Sequence, residues 1–96
     1  MDQQTSIQNN LALAPYGEAF SRFLSMKLKQ KKVTYPQLAE LLAQKGIVLT
    51  PGNLRNKVSN RLMPTSLFLI ILEVLNVKGD ILSEILTMAK EIEDEA

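Results

Sequence analysis

The stretch Thr50-Pro51-Gly52-Asn53-Leu54-Arg55-Asn56-Lys57-Val58-Ser59-Asn60-Arg61 gathers amides and cations at a spacing suited to recognition. Thr50 and Pro51 open a helix: a hydroxyl cap, then a residue whose missing N–H costs nothing in a first turn. At about 100° per residue, Leu54 and Val58 share one side and are the helix's only core residues. Gly52, Asn53, Asn56 and Asn60 lie around the opposite side, flanked by Arg55 and Lys57. Packing explains none of that polarity. A guanidinium fork matches the two acceptors of guanine, a carboxamide matches adenine, and ammonium groups neutralise phosphates. On this chemistry Gly52, Asn53, Arg55 and Asn56 are candidate base contacts, the glycine by letting its backbone approach closely. Thr50, Lys57, Asn60 and Arg61 are candidate phosphate contacts. Thr34, Tyr35 and Gln37, at the start of the preceding helix, join them because free N–H groups there favour an anion.

Catalysis fits the sequence poorly. The chain has neither cysteine nor histidine, so the common zinc sites and the common Ser-His and Cys-His pairs cannot be built. Glu40 and Glu73 are isolated carboxylates, and there is no glycine loop for phosphate. We therefore expect no enzyme activity, no metal and no cofactor. The lack of cysteine agrees with a reducing cytoplasm. Leu67–Leu72, the longest apolar run, is far too short to span a bilayer, and the start of the chain lacks the pattern of a signal peptide. The expectation is a cytoplasmic protein away from membranes.

Charge is divided along the chain. From Arg22 to Arg61 nine basic residues face the single acid Glu40, whereas from Leu62 onward Lys78 and Lys90 face seven acids. A formal net charge of +1 thus conceals a strongly basic middle, which argues for a polyanionic partner.

The elements that must position these groups are helical. At 96 residues and 46% hydrophobic the chain allows one domain with a workable core. Residues 1–15, rich in Gln and Asn without sustained periodicity, are expected to be a flexible arm. Phe20, Phe23, Leu24 and Leu28 predict a first helix from about Gly17 to Lys31. Thr34-Tyr35-Pro36-Gln37 reads as a capping box opening a second helix, and Gly46 as its left-handed stop. The third helix is the one above. A fourth, from about Thr65 to Asn76, is apolar nearly all round and should be central. A fifth follows Gly79-Asp80, its stripe of Ile81, Leu82, Ile85, Leu86 and Ala89 open either to a second copy or to helix 4. The fold class is all-α, a compact bundle of four to five short helices. Residues 16–78 would form the binding domain and 79–96 an amphipathic helix with an acidic end.

The segment LTPGNLRNKVSNRLMPTSLFLIILEVLNV resembles the second half of a lambda-repressor-like (XRE-type) domain: a recognition helix, a polar loop, a proline and a hydrophobic helix ending in LNV. More specifically, KQKKVTYPQLAELLAQKGIVLTPGNLRNKVSNRLMPTSLFLIILEVLNV is similar to a small bacterial and phage family known only as a domain of unknown function. That family shares the TY..LA..L...G start and an asparagine- and lysine-bearing third helix. The likeness covers roughly Met26 to Val77. It implies a repressor-like helix-turn-helix fold, whose second helix enters the major groove. One departure is visible: the glycine that follows an alanine such as Ala39 by four residues in the repressor pattern is delayed here to Gly46, so the turn should be longer.

Together these readings point to a sequence-specific DNA-binding transcriptional regulator, repressor-like and of bacterial or phage origin, acting on double-stranded DNA as a homodimer. The alternative is a protein-interaction module, such as an antitoxin or adaptor, using the same helical surface for a protein partner.

Overall fold

The structure, a computed structural model, describes residues 3–95. Five helices follow one another, α1 (Gln3–Lys31), α2 (Tyr35–Gln44), α3 (Pro51–Ser59), α4 (Thr65–Val74) and α5 (Ile81–Glu95), with no strand among the described residues. The fold is all-α.

Local chemistry sets the boundaries. Thr34 Oγ1 accepts from the Gln37 N–H at 3.3 Å and Gln37 Oε1 accepts from the Thr34 N–H at 2.9 Å, closing the capping box that opens α2. Thr50 Oγ1 accepts from the Asn53 N–H at 3.0 Å, and Asp80 caps α5 through the Ser83 N–H at 3.1 Å. No side chain caps α4, which starts after Pro64. Removing a cap oxygen leaves helix N–H groups to water alone, so Thr34→Ala should cost about 1 kcal/mol, read as a lower urea midpoint with an unchanged slope.

The first four helices all stop in one way. At each end a residue with positive φ donates to one carbonyl, and the apolar residue after it donates further back. The Val33 N–H reaches the Leu28 carbonyl (2.9 Å), Ile47 reaches Leu42 (3.0 Å), Leu62 reaches Lys57 (3.1 Å) and Val77 reaches Leu72 (2.9 Å). These are Schellman closures. Only one of the four positive-φ positions is glycine, Gly46; Lys32, Arg61 and Asn76 adopt the same left-handed conformation as L residues.

The core is aliphatic around Phe23, Leu24, Leu38, Leu42, Leu54 and Ile71, all fully buried. α1 is the spine. It packs on α3 on one side and along α5 on the other, while α2 bridges α3 and α4. The expectation that α4 is central is corrected. It lies against α2, leaves Leu69 exposed, and reaches α1 through Phe68, whose ring meets Phe20 edge-on at 5.2 Å and Phe23 at 6.5 Å.

The fifth helix packs on α1, not on helix 4. Ala19 and Ala89, both small, let the two axes approach, with Ile92 buried beside them and Ile85 and Met88 packed around. The order of the ion pairs Lys27–Glu84 (3.3 Å) and Arg22–Glu95 (3.9 Å) makes the two helices antiparallel. This corrects the stripe proposed for a second copy. Ala89 is buried, Ile81 and Ile85 are partly buried against the chain's own core, and only Leu82 (69% exposed) and Leu86 (48%) remain at the surface.

A second correction concerns the leader. From Gln3 to Ala14 the chain is helical, the first part of a 29-residue α1 that sets the 43 Å long dimension of the molecule. Every residue from Gln3 to Ala14 is exposed, including Ile7, Leu11 and Leu13. Partial burial begins at Pro15, which withholds the helical donor from the Leu11 carbonyl, and full burial begins at Ala19. Met1 and Asp2, also in the expected arm, lie outside the described residues.

Candidate functional site

Leu54 and Val58 anchor α3 into the core, fully and almost fully buried, and so fix which residues face outward. Gly52, Asn53, Arg55, Asn56, Ser59 and Asn60 are all exposed. An added Cβ at Gly52 would meet nothing within 4 Å, so nothing inside the fold requires a glycine there. Arg55 has a specific place. Its guanidinium carbon stands 5.4 Å from the centre of the Tyr35 ring, at the start of α2. A guanidinium over a tyrosine face at an exposed site gains roughly 0.5–1 kcal/mol, and the flat ring restricts where the fork can point. Two residues singled out on separate helices therefore form one unit.

The capping residues are partly committed. Thr34 and Thr50 use an oxygen lone pair as acceptor, and Gln37 uses its carboxamide oxygen. What remains to offer an anion is the hydroxyl protons of the threonines and the amide protons of Gln37. Lys57 is partly buried on the other edge of α3. Arg61 is exposed at the end of α3, its stem against Gly17 of α1, where a Cβ would come within 3.2 Å of the arginine Cδ.

Two further cations belong to this surface. Lys29 and Lys32, at the end of α1, share with Thr34 and Tyr35 a cleft of about 430 Å³. They extend the run from Arg55 across Tyr35 to α1. Both sit in the basic stretch, three residues apart and just ahead of the capping box, and that spacing could have marked them.

Acidic residues neutralise part of the basic middle and leave the rest. Glu18 and Glu95 approach Arg22, Glu84 takes Lys27, and Glu73 takes Lys45. The carboxylates that fold back from α5 therefore meet α1. Among the described residues no carboxylate pairs with Lys29, Lys32, Arg55, Lys57 or Arg61. Lys31 donates to the Asn76 carbonyl at 3.2 Å. The result is a surface with several free cations, exposed amides and no screening acid in contact.

The sequence profile of a family described as a domain of unknown function (DUF6471) matches residues 16–80, well over half of the chain. The chain belongs to this family. The DUF6471 match takes in the packed part of α1, all of α2, α3 and α4, and hence every residue of the surface just described. It leaves out the exposed start of α1 and the whole of α5. No curated protein and no solved structure matches the chain. Among the described residues of this DUF6471 chain, no group of three or more His, Cys, Asp or Glu could hold a metal ion. No described helix is long and apolar enough to cross a membrane.

Proposed function

We propose that the domain is a sequence-specific DNA-binding regulator of repressor-like type, with α2 and α3 as a helix-turn-helix and α3 as the helix that enters the major groove. One observation carries this reading: Arg55, with Asn56 beside it, stands exposed on a face free of carboxylate contacts, its guanidinium held over Tyr35. In this role Arg55 reads guanine, Asn53 or Asn56 reads adenine, and Gly52 gives the backbone clearance. Lys29, Lys32, Lys57 and Arg61 neutralise phosphates, and Thr34, Tyr35 and Gln37 add positional contacts from the start of α2. The protein acts without catalysis, in the cytoplasm, as two copies on a symmetric site. The edge of α5 left exposed, Leu82 and Leu86, is where the copies meet.

The test is selection from a randomised duplex pool, followed by anisotropy titration of the recovered sequence at several salt concentrations. Four neutralised phosphates per domain predict a log–log salt slope of roughly −3 to −4 for one copy. A pool that yields no enriched sequence, with no salt-dependent affinity for any duplex, overturns the reading.

Lys32 provides a test with two readouts that move in opposite directions. Its φ of 57° is a left-handed conformation that disfavours side chains, so Lys32→Gly should raise stability by up to about 1 kcal/mol. The same change removes a phosphate contact and should flatten the salt slope by about one unit. Calorimetry and anisotropy on the same preparation check both.

A second reading is supported by apolar residues the fold leaves uncovered. Ile7, Leu11 and Leu13 on the outer half of α1 suit a protein partner of the antitoxin or adaptor kind. The two functions use different surfaces and are compatible.

A further inference from the structure

The chain treats its two partly buried lysines differently. Lys27, whose side chain is only 14% exposed, lies with its ammonium 5.3 Å from the centre of the Phe23 ring and meets the Glu84 carboxylate at 3.3 Å. Lys57 is also partly buried, yet no carboxylate meets it among the described residues. It borders a cleft of about 480 Å³ between the α2–α3 connection, α3 and the first turns of α4. Ile47, Leu49, Leu67 and Ile70 give that cleft an apolar wall, and Ser66 stands with Lys57 as its polar groups. An ammonium beside apolar surface and without a carboxylate in contact is well placed to donate a charge-assisted hydrogen bond to an incoming anion. Cavities of this size, mostly apolar with a few placed polar groups, are the usual form of small-molecule sites.

We propose that this cleft binds an organic carboxylate with an apolar chain or ring, the carboxylate meeting Lys57 and the apolar body lying against Ile47, Leu49, Leu67 and Ile70. Glu84 supplies Lys27 from within the chain; here the ligand supplies the charge. The other cleft with cations, beside Lys29 and Lys32, belongs to the surface already described. The consequence for regulation rests on the DNA reading: a bound carboxylate occupies the ammonium of Lys57 and withdraws it from a phosphate, so the ligand weakens duplex binding.

The experiment titrates the full isotope-labelled chain, without DNA, with sodium octanoate and separately with octylamine, which has the same chain length and the opposite charge. Octanoate should give saturable amide shifts centred on Ile47, Leu49, Leu67 and Ile70, with octylamine at least tenfold weaker. Lys57→Met keeps the apolar stem and removes the charge, and should reduce octanoate affinity at least tenfold while the melting temperature holds. Ser66→Glu places a carboxylate in the first turn of α4, where the helix dipole favours it, and should weaken octanoate by occupying Lys57. Equal binding of the two probes, unchanged affinity in Lys57→Met, or shifts that fail to saturate overturn the proposal. Duplex binding is measured separately with and without octanoate. A chain that takes octanoate and no DNA keeps the site and overturns only the DNA reading, and octanoate that binds without weakening the duplex overturns the regulatory consequence.

Discussion

Arg55→Ala lowers affinity for the selected duplex by about 1–3 kcal/mol and relaxes preference at one base position, while non-specific binding changes little. The expectation follows from a bidentate guanidinium contact, whose loss is felt only where guanine stood. Arg55→Lys should recover little of it, because a point charge cannot match two acceptors in a plane. Tyr35 separates this account from one in which Arg55 is merely a surface cation. The ring stands 5.4 Å from the guanidinium and directs it, so Tyr35→Leu, which keeps apolar contact, should lose a fraction of the Arg55→Ala effect. In an Arg55→Ala background the same Tyr35 change should have almost no effect on binding, which a double-mutant cycle reads directly. Additive effects would show that the two side chains act apart.

Leu54→Ala has the largest expected effect on stability. Leu54 is fully buried in the core cluster and, with Val58, is one of only two buried residues of α3. Truncation removes the transfer free energy of the lost methyls and leaves a cavity, a loss of about 2–5 kcal/mol. A domain of this size has roughly 5–15 kcal/mol in all, so the variant should show a markedly lower urea midpoint. Because the anchor orients the polar face, whatever DNA affinity survives should fall in the folded fraction as well. By contrast Leu82→Ala, at an exposed leucine of α5, should leave the stability of the isolated chain nearly unchanged.

Much of the helix pattern can be read from the sequence, because caps are local. Thr34 with Gln37, Thr50 with Pro51, and Gly46 each declare a boundary within a few residues, and the structure places helix ends at them. The other stops are less legible. Lys32, Arg61 and Asn76 take a conformation usually left to glycine, and only the apolar residue after each one hints at the closure. Partners are harder still. Periodicity says that α5 has an apolar stripe but not that Ala19 of α1 is opposite Ala89, since any complementary face would satisfy the pattern. The apolar sequence of α4 likewise suggests a centre, although α1 takes that place by packing on both α3 and α5. The start of α1 lacks a buried stripe, so a reading based on burial misses a helix that is continuous along the backbone with its packed half.

The candidate site divides in the same way. Residue types on α3 suffice to predict that Gly52, Asn53, Arg55 and Asn56 face outward, because two core residues in nine fix that side. The pairing of Arg55 with Tyr35 was not legible, since it depends on how α2 and α3 meet. Nor was the fate of the acidic end. Glu84 and Glu95 meet Lys27 and Arg22 on α1, and no ion pair joins α5 to the cations around α3 among the described residues.

On the DNA-binding reading, the outward side of α3 and the start of α2 touch the duplex. Amide-resolved titration of the labelled chain with the selected duplex maps that contact residue by residue. The largest shifts are expected at Gly52–Lys57 and Thr34–Gln37, with α5 nearly silent apart from any change on pairing at Leu82 and Leu86. Shifts concentrated on the outer half of α1 or on the acidic face of α5, with α3 unmoved at saturation, overturn the assignment of α3 to the groove.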